Sequence, residues 1–125
     1  MTKHVLIADD EANIVISLEF LMKREGYQVL VARDGPQALD TIQRERPHLV
    51  LLDVMMPGKS GFEVCQAVRG DEALAGVMIL MLSAKGRDTD LAKGSALGAD
   101  AYMTKPFSTK ELAAKVRELL GLAAP

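Results

Sequence analysis

The chain has 125 residues, 49% apolar and 26% charged, with a net charge of −2, which suits one domain able to bury about two-thirds of its surface. That balance gives no electrostatic attraction to nucleic acid or an anionic membrane, and no apolar run approaches the ~20 residues of a membrane span. The start, MTKHVLIADDE, lacks the form of a signal peptide, and a single cysteine, Cys65, excludes an internal disulfide, so a cytoplasmic location is expected.

The first apolar run, HVLIA at 4–8, reads as a strand and ends on Asp9, Asp10 and Glu11. A helix over 11–25 places Ile14, Leu18, Leu21 and Met22 on one stripe, with Gly26 at its C-terminal cap. YQVLVA at 27–32 is the second strand. Asp34, Pro36 and Gln37 then supply an N-cap, a helix-initiating proline and a capping-box partner for a helix carrying Ala38, Leu39 and Ile42.

HLVLL at 48–52 is the third strand and stops on Asp53. A helix over 61–69 buries Phe62, Cys65 and Val68. VMILML at 77–82, followed by Ser83, is the fourth strand. The next helix, 87–97, has a weaker pattern and flanking glycines, which suits a mobile element. DAYMT at 100–104 is the fifth strand, followed by Lys105 and Pro106. The last helix opens with a Ser108–Glu111 capping box and carries Leu112, Val116, Leu119 and Leu120.

The first four strands are nearly continuous in apolar residues, as strands covered on both faces of a parallel sheet are. Regular βα alternation with short loops predicts a doubly wound α/β fold, with ligands bound beyond the carboxyl ends of the strands. Asp9, Asp10, Asp53, Ser83 and Lys105 all fall at that edge. His4 and His48 each start a strand at the opposite edge and are read as exposed, which argues against a Ser-His-Asp hydrolase.

Each of these residues has a plainer reading: Asp10 as a helix cap, Ser83 as a turn residue, Lys105 as a surface lysine. Together they form a different pattern. Clustered carboxylates repel by several kcal/mol per close pair at intermediate dielectric, and a hard dication with a lysine ammonium relieves this. Such a site suits a phosphoryl group, with a carboxylate as nucleophile.

The motifs ADDE at 8–11, D-x-x-M-P-x-x-x-G from Asp53 to Gly61, LSA at 82–84 and AYMTKPF at 101–107 resemble the receiver domain of two-component response regulators. The resemblance spans nearly the whole chain. It implies a flavodoxin-like sheet of five parallel strands in the order 2-1-3-4-5 with five helices, a receiver domain over 1–121, and a tail or linker start over 122–125. It implies that Asp53 is the phosphoacceptor, charged by a sensor histidine kinase or histidine phosphotransfer protein. Asp9, Asp10, Asp53 and the backbone carbonyl of Met55 would hold Mg²⁺, for which Mn²⁺ would substitute, with Asp9 acting partly through water.

Lys105, joined to Pro106 by a cis bond, would pair with a phosphoryl oxygen. Ser83 and Tyr102 would form the switch, drawing the 84–87 loop inward and altering the face of the fourth helix, fifth strand and fifth helix. That face would act on a downstream effector protein or fused output domain, with a phosphorylation-dependent homodimer also expected. The domain itself would touch neither nucleic acid nor membrane. It would be a regulatory domain, not an enzyme, although it assists its own phosphorylation and dephosphorylation. Leu91, Ala101 and Glu118 stand where the winged-helix, DNA-binding class carries charged, charged and basic residues.

Two alternatives have related folds, a flavodoxin-like nucleotide binder and a phosphatase on a Rossmann-like sheet. A nucleotide binder needs a phosphate-cradling loop where this chain has ADDEAN, which repels phosphate without a metal. A haloacid-dehalogenase-type phosphatase needs a second Asp two residues after its nucleophile, where this chain has Met55. A purely structural interaction domain leaves the carboxylate cluster without a reason.

Overall fold

In the computed structural model, five strands run parallel in a single sheet in the order β2-β1-β3-β4-β5. They are β1 (His4–Ala8), β2 (Gln28–Ala32), β3 (Leu49–Asp53), β4 (Met78–Ala84) and β5 (Ala101–Lys105). The helices are α1 (Ala12–Arg24), α2 (Gly35–Glu45), α3 (Gly61–Arg69), α4 (Asp88–Ala96) and α5 (Thr109–Leu119), with a 3₁₀ turn at Glu72–Leu74. The structure describes residues 2–84 and 88–122, with only the backbone for 88–91. The expected movement of residues 85–87, the side chain of Leu91 and most of the tail therefore lie outside the described residues.

The sheet separates two apolar layers. On one face Val15, Leu18, Leu21 and Met22 of α1 and Leu112 and Val116 of α5 pack on Val5, Ile7, Leu49, Leu51, Leu80 and Leu82. On the other, Ala38 and Ile42 of α2 and Phe62, Val64, Cys65 and Val68 of α3 cover Leu6, Val50, Leu52, Ile79 and Met81. Because successive strand residues point to opposite faces, a strand covered on both sides must be apolar throughout. β3 meets that condition, with every residue buried. β2 does not. It is an edge strand, and Gln28 to Val31 are exposed or half-buried, because only one neighbour and α1 and α2 cover it.

Local signals set the helix ends. Asp34 caps α2 by accepting from the Gln37 N–H at 2.7 Å, but the Gln37 side chain accepts from Arg33 N–H, one residue earlier than a capping box requires. A reciprocal box occurs instead at α3, between Ser60 and Glu63. Ser108 caps α5 by accepting from Glu111 N–H at 3.0 Å. In α1 the stripe is centred on Val15 rather than Ile14, which is half-buried.

The three strands that matter most at the carboxyl edge extend past their apolar runs. Asp53, Ser83 and Lys105 lie within β3, β4 and β5, paired as Asp53 with Leu82, Ser83 with Thr104 and Ala84 with Lys105. The backbone ladder ignores side-chain polarity, so pairing continues after the apolar pattern stops. At the other edge the histidines are half-buried and joined. The His4 N–H donates to His48 Nδ1 at 2.9 Å, and their rings meet edge-on.

Candidate functional site

Strand order reverses between β1 and β3, and that reversal builds the site. Ala8 pairs with Leu52, so the next residues, Asp9 and Asp53, stand side by side at the carboxyl edge of the sheet. Both are buried, whereas Asp10 is exposed. One carboxylate oxygen from each of Asp9, Asp10 and Asp53 lies within 4.8 Å of the others. Asp10 does not cap α1: the N-cap position is Glu11, which makes no side-chain cap bond.

Lys105 reaches this cluster from β5. Its Nζ lies 3.0 Å from Asp9 Oδ2, 3.3 Å from Asp53 Oδ1 and 3.5 Å from Glu11 Oε1. The Lys105–Pro106 bond is cis. Burial favours the neutral amine, but the surrounding acids outweigh it and hold the Lys105 pKa above its ordinary value. Asp9 Oδ1 also accepts from Glu11 N–H at 2.9 Å.

Asp53 is the perturbed acid of the group. Burial, and then the neighbouring Asp9 charge, push its pKa up to about 6, against the lowering effects of Lys105 and the Met55 backbone N–H. At neutral pH most of the population is still ionised, so the crevice holds a buried carboxylate rather than a neutral acid. Three oxygen donors with one of them solvent-facing match the hard, partly hydrated coordination Mg²⁺ prefers. Among the described residues, no buried side-chain N or O atom lacks a hydrogen-bond partner.

The loop after β3 keeps Asp53 where it is. Gly61 N–H donates to Val54 O at 2.8 Å, and a Cβ on Gly61 would lie 2.2 Å from the Asp53 carbonyl oxygen, so only glycine allows this closure. Met55 is exposed on the loop. Ser83 is fully buried, one residue past the Leu82 that pairs with Asp53, and its Oγ stands 3.5 Å from Ala84 O. Tyr102, opposite Met81 in the β4–β5 ladder, packs partly buried against the α3 side of the core. A Cβ on Gly94 of α4 would lie 3.7 Å from its ring.

The edge therefore carries every residue the sequence placed there, and the histidines lie at the opposite ends of the strands. Sequence reasoning missed Glu11 as a third acid facing Lys105, although it stands in the same acidic run. It also missed the Met55 N–H as a donor to Asp53, a contact that side-chain patterns do not encode.

The family model described as "Response regulator receiver domain" matches residues 5–117. The solved structure of chemotaxis response regulator CheY4 of Vibrio cholerae is 31% identical, with a TM-score of 0.89 over 95% of this chain and 99% of that one. A chain from Chloroflexus aurantiacus J-10-fl described as a response regulator is 33% identical, with a TM-score of 0.93 over 97% and 99%. The signal receiver domain of a signal transduction histidine kinase from Syntrophus aciditrophicus is 28% identical, with a TM-score of 0.89 over 96% and 91%.

Proposed function

Because the chain belongs to the response regulator receiver domain family of two-component signalling, we propose that Asp53 is its phosphoacceptor and that phosphorylation resets the α4–β5–α5 face. Members of this family are regulatory signalling domains rather than classical enzymes, and they bind Mg²⁺ at an acidic cluster of this kind. The observation that carries the reading is the convergence of buried Asp53, buried Asp9 and the Lys105 ammonium at one strand-end crevice.

A carboxylate oxygen of Asp53 attacks the phosphorus of a phosphohistidine on the donor. The P–N bond breaks, the imidazole leaves, and an acyl phosphate forms on Asp53. Lys105 keeps its proton on Nζ and turns its hydrogen bonds toward a phosphoryl oxygen, neutralising charge as it develops. Asp9, Asp10, Asp53 and the Met55 carbonyl would hold Mg²⁺ or Mn²⁺, which when bound supplies charge neutralisation for the incoming phosphoryl group. The burial of Asp53 limits access by water, which would hydrolyse the product.

The new group adds about −1.5 to −2 charge and three acceptor oxygens beside the end of β4. The Ser83 hydroxyl would turn to one of them, and Tyr102 would follow by packing differently against α4. The resulting face would engage an effector protein, a fused output domain or a second copy of the chain. Exposed Ile16 and Phe20 on α1, beside Thr109, would give an apolar footing for the donor. The domain is proposed to span 1–121, and no helix of the described residues is long and apolar enough to cross a membrane.

Incubation with a small phosphodonor and Mg²⁺, read by intact-mass spectrometry, tests the reading. One hydroxylamine-labile phosphate is expected on the wild type and none on Asp53→Asn. An adduct that survives the substitution, or no adduct at all, would overturn it.

A further inference from the structure

The β3–α3 loop, residues 54–60, is held at two points. At its base, Gly61 closes onto Val54. At its tip, α2 presses on it. Gly35 is the first residue of α2, so its N–H has no partner within the helix. That N–H donates to Pro57 O at 3.1 Å, and Pro57 O also accepts from Lys59 N–H at 3.1 Å. The second bond closes a γ-turn around Gly58, which has φ +82° and lies against the Pro36 ring.

There is no room for a side chain at position 35. A Cβ there would stand 2.2 Å from Lys59 O, 2.4 Å from Lys59 Cβ and 2.7 Å from Lys59 C. The clash is with backbone, so it cannot be relieved by a rotamer change. The Gly35 φ is not positive, and alanine is a better helix former than glycine. Helix chemistry alone would therefore favour alanine here. The contact with the loop is what disfavours it.

We propose that Gly35 is a positioning residue for the site: by fitting flush against Pro57–Lys59 it fixes the loop that carries Met55, and so sets where the Met55 carbonyl and N–H stand relative to Asp53. This rests on the phosphoacceptor reading, in which that carbonyl is a metal ligand. A methyl group at position 35 pushes the loop off α2. Gly61 N–H holds the base of the loop on Val54 O, so the push at Lys59 is passed along the stretch that carries Met55. The effect is thus expected at the metal site more than in the core.

The test compares Gly35→Ala with wild type and with Gly76→Ala, whose added Cβ would meet nothing within 4 Å. Magnesium chloride alone is titrated by calorimetry, and metal-free amide NMR spectra are recorded in parallel. Mg²⁺ affinity should fall about tenfold in Gly35→Ala, as for other groups that orient a ligand, with no change in Gly76→Ala. The Met55 and Met56 amide signals should move without metal. A loss of melting temperature with wild-type affinity and unmoved Met55 signals would overturn the proposal and leave the phosphoacceptor reading intact. If wild type itself binds no Mg²⁺, the site reading fails and this one with it. If Gly35→Ala does not fold, Pro36→Ala, which removes the ring behind Gly58, decides: undiminished affinity and unmoved Met55 signals would overturn the proposal.

Discussion

The Lys105 ammonium lies 3.3 Å from the Asp53 carboxylate, although the residues are 52 positions apart and come from strands with β4 between them. The same Nζ is 3.0 Å from Asp9, so one cation serves two buried acids. That arrangement offsets the charge of two buried carboxylates and, on the proposed function, supplies the cation that a phosphoryl group on Asp53 would meet.

Lys105→Met removes the cation and leaves Asp9 and Asp53 facing each other. Breaking a buried pair leaves an uncompensated charge, so stability in metal-free buffer at pH 7.5 should fall by about 3 kcal/mol. Saturating Mg²⁺ should restore much of the loss, because a dication replaces the ammonium. Urea denaturation with and without Mg²⁺ checks both statements. Phosphate uptake should also slow in this variant, and Tyr102 NMR signals should no longer follow phosphorylation.

The raised pKa of Asp53 fixes a pH dependence. Its pKa is about 6 in the fold against 3.8 for the ordinary side chain, so between those values the folded state binds more protons than the unfolded state. Stability from this group is therefore complete below about pH 4 and is lost as pH rises through 6. Asp53→Asn escapes that loss. Its melting temperature in metal-free buffer should match wild type near pH 4 and exceed it above pH 6, by an amount equivalent to about 3 kcal/mol. Mg²⁺ should narrow the gap at high pH by stabilising the charged form.

Much of this was legible in the sequence. The strands follow from apolar runs, and the rule that parallel strands deliver their ends to one edge placed Asp9, Asp10, Asp53, Ser83 and Lys105 together. What escaped depends on neighbours. The exposure of β2 follows from its edge position, and the extension of β3, β4 and β5 into their polar ends follows from backbone pairing. The His4–His48 contact and the bond from Arg33 N–H to Gln37 join residues whose spacing alone signals nothing. The ban on a side chain at Gly35 is set by a loop that the chain forms more than twenty residues later.

Arg69 tests whether the α3–α4 region is held independently of the acid site. Its guanidinium donates to Gly98 O at 2.8 Å, Val77 O at 2.9 Å and Asp100 Oδ2 at 2.5 Å. Asp100 Oδ2 also accepts from Ile79 N–H. Arg69→Ala should cost about 2–3 kcal/mol, since two part-buried carbonyls and the Asp100 carboxylate lose a charged donor. A double-mutant cycle with Asp100→Ala should give a coupling energy of about 1 kcal/mol. Mg²⁺ affinity should be unchanged, because the residue lies beside the starts of β4 and β5, away from Asp53.

The central claim is that Asp53 is the residue that carries the phosphoryl group. Borohydride reduces an aspartyl phosphate to homoserine, so reduction after treatment with a phosphodonor and Mg²⁺, followed by peptide mass spectrometry, reads the site directly. The account predicts homoserine at position 53 alone, and none when Mg²⁺ is removed by chelation. Homoserine at position 9 or 10 with position 53 unchanged would contradict it.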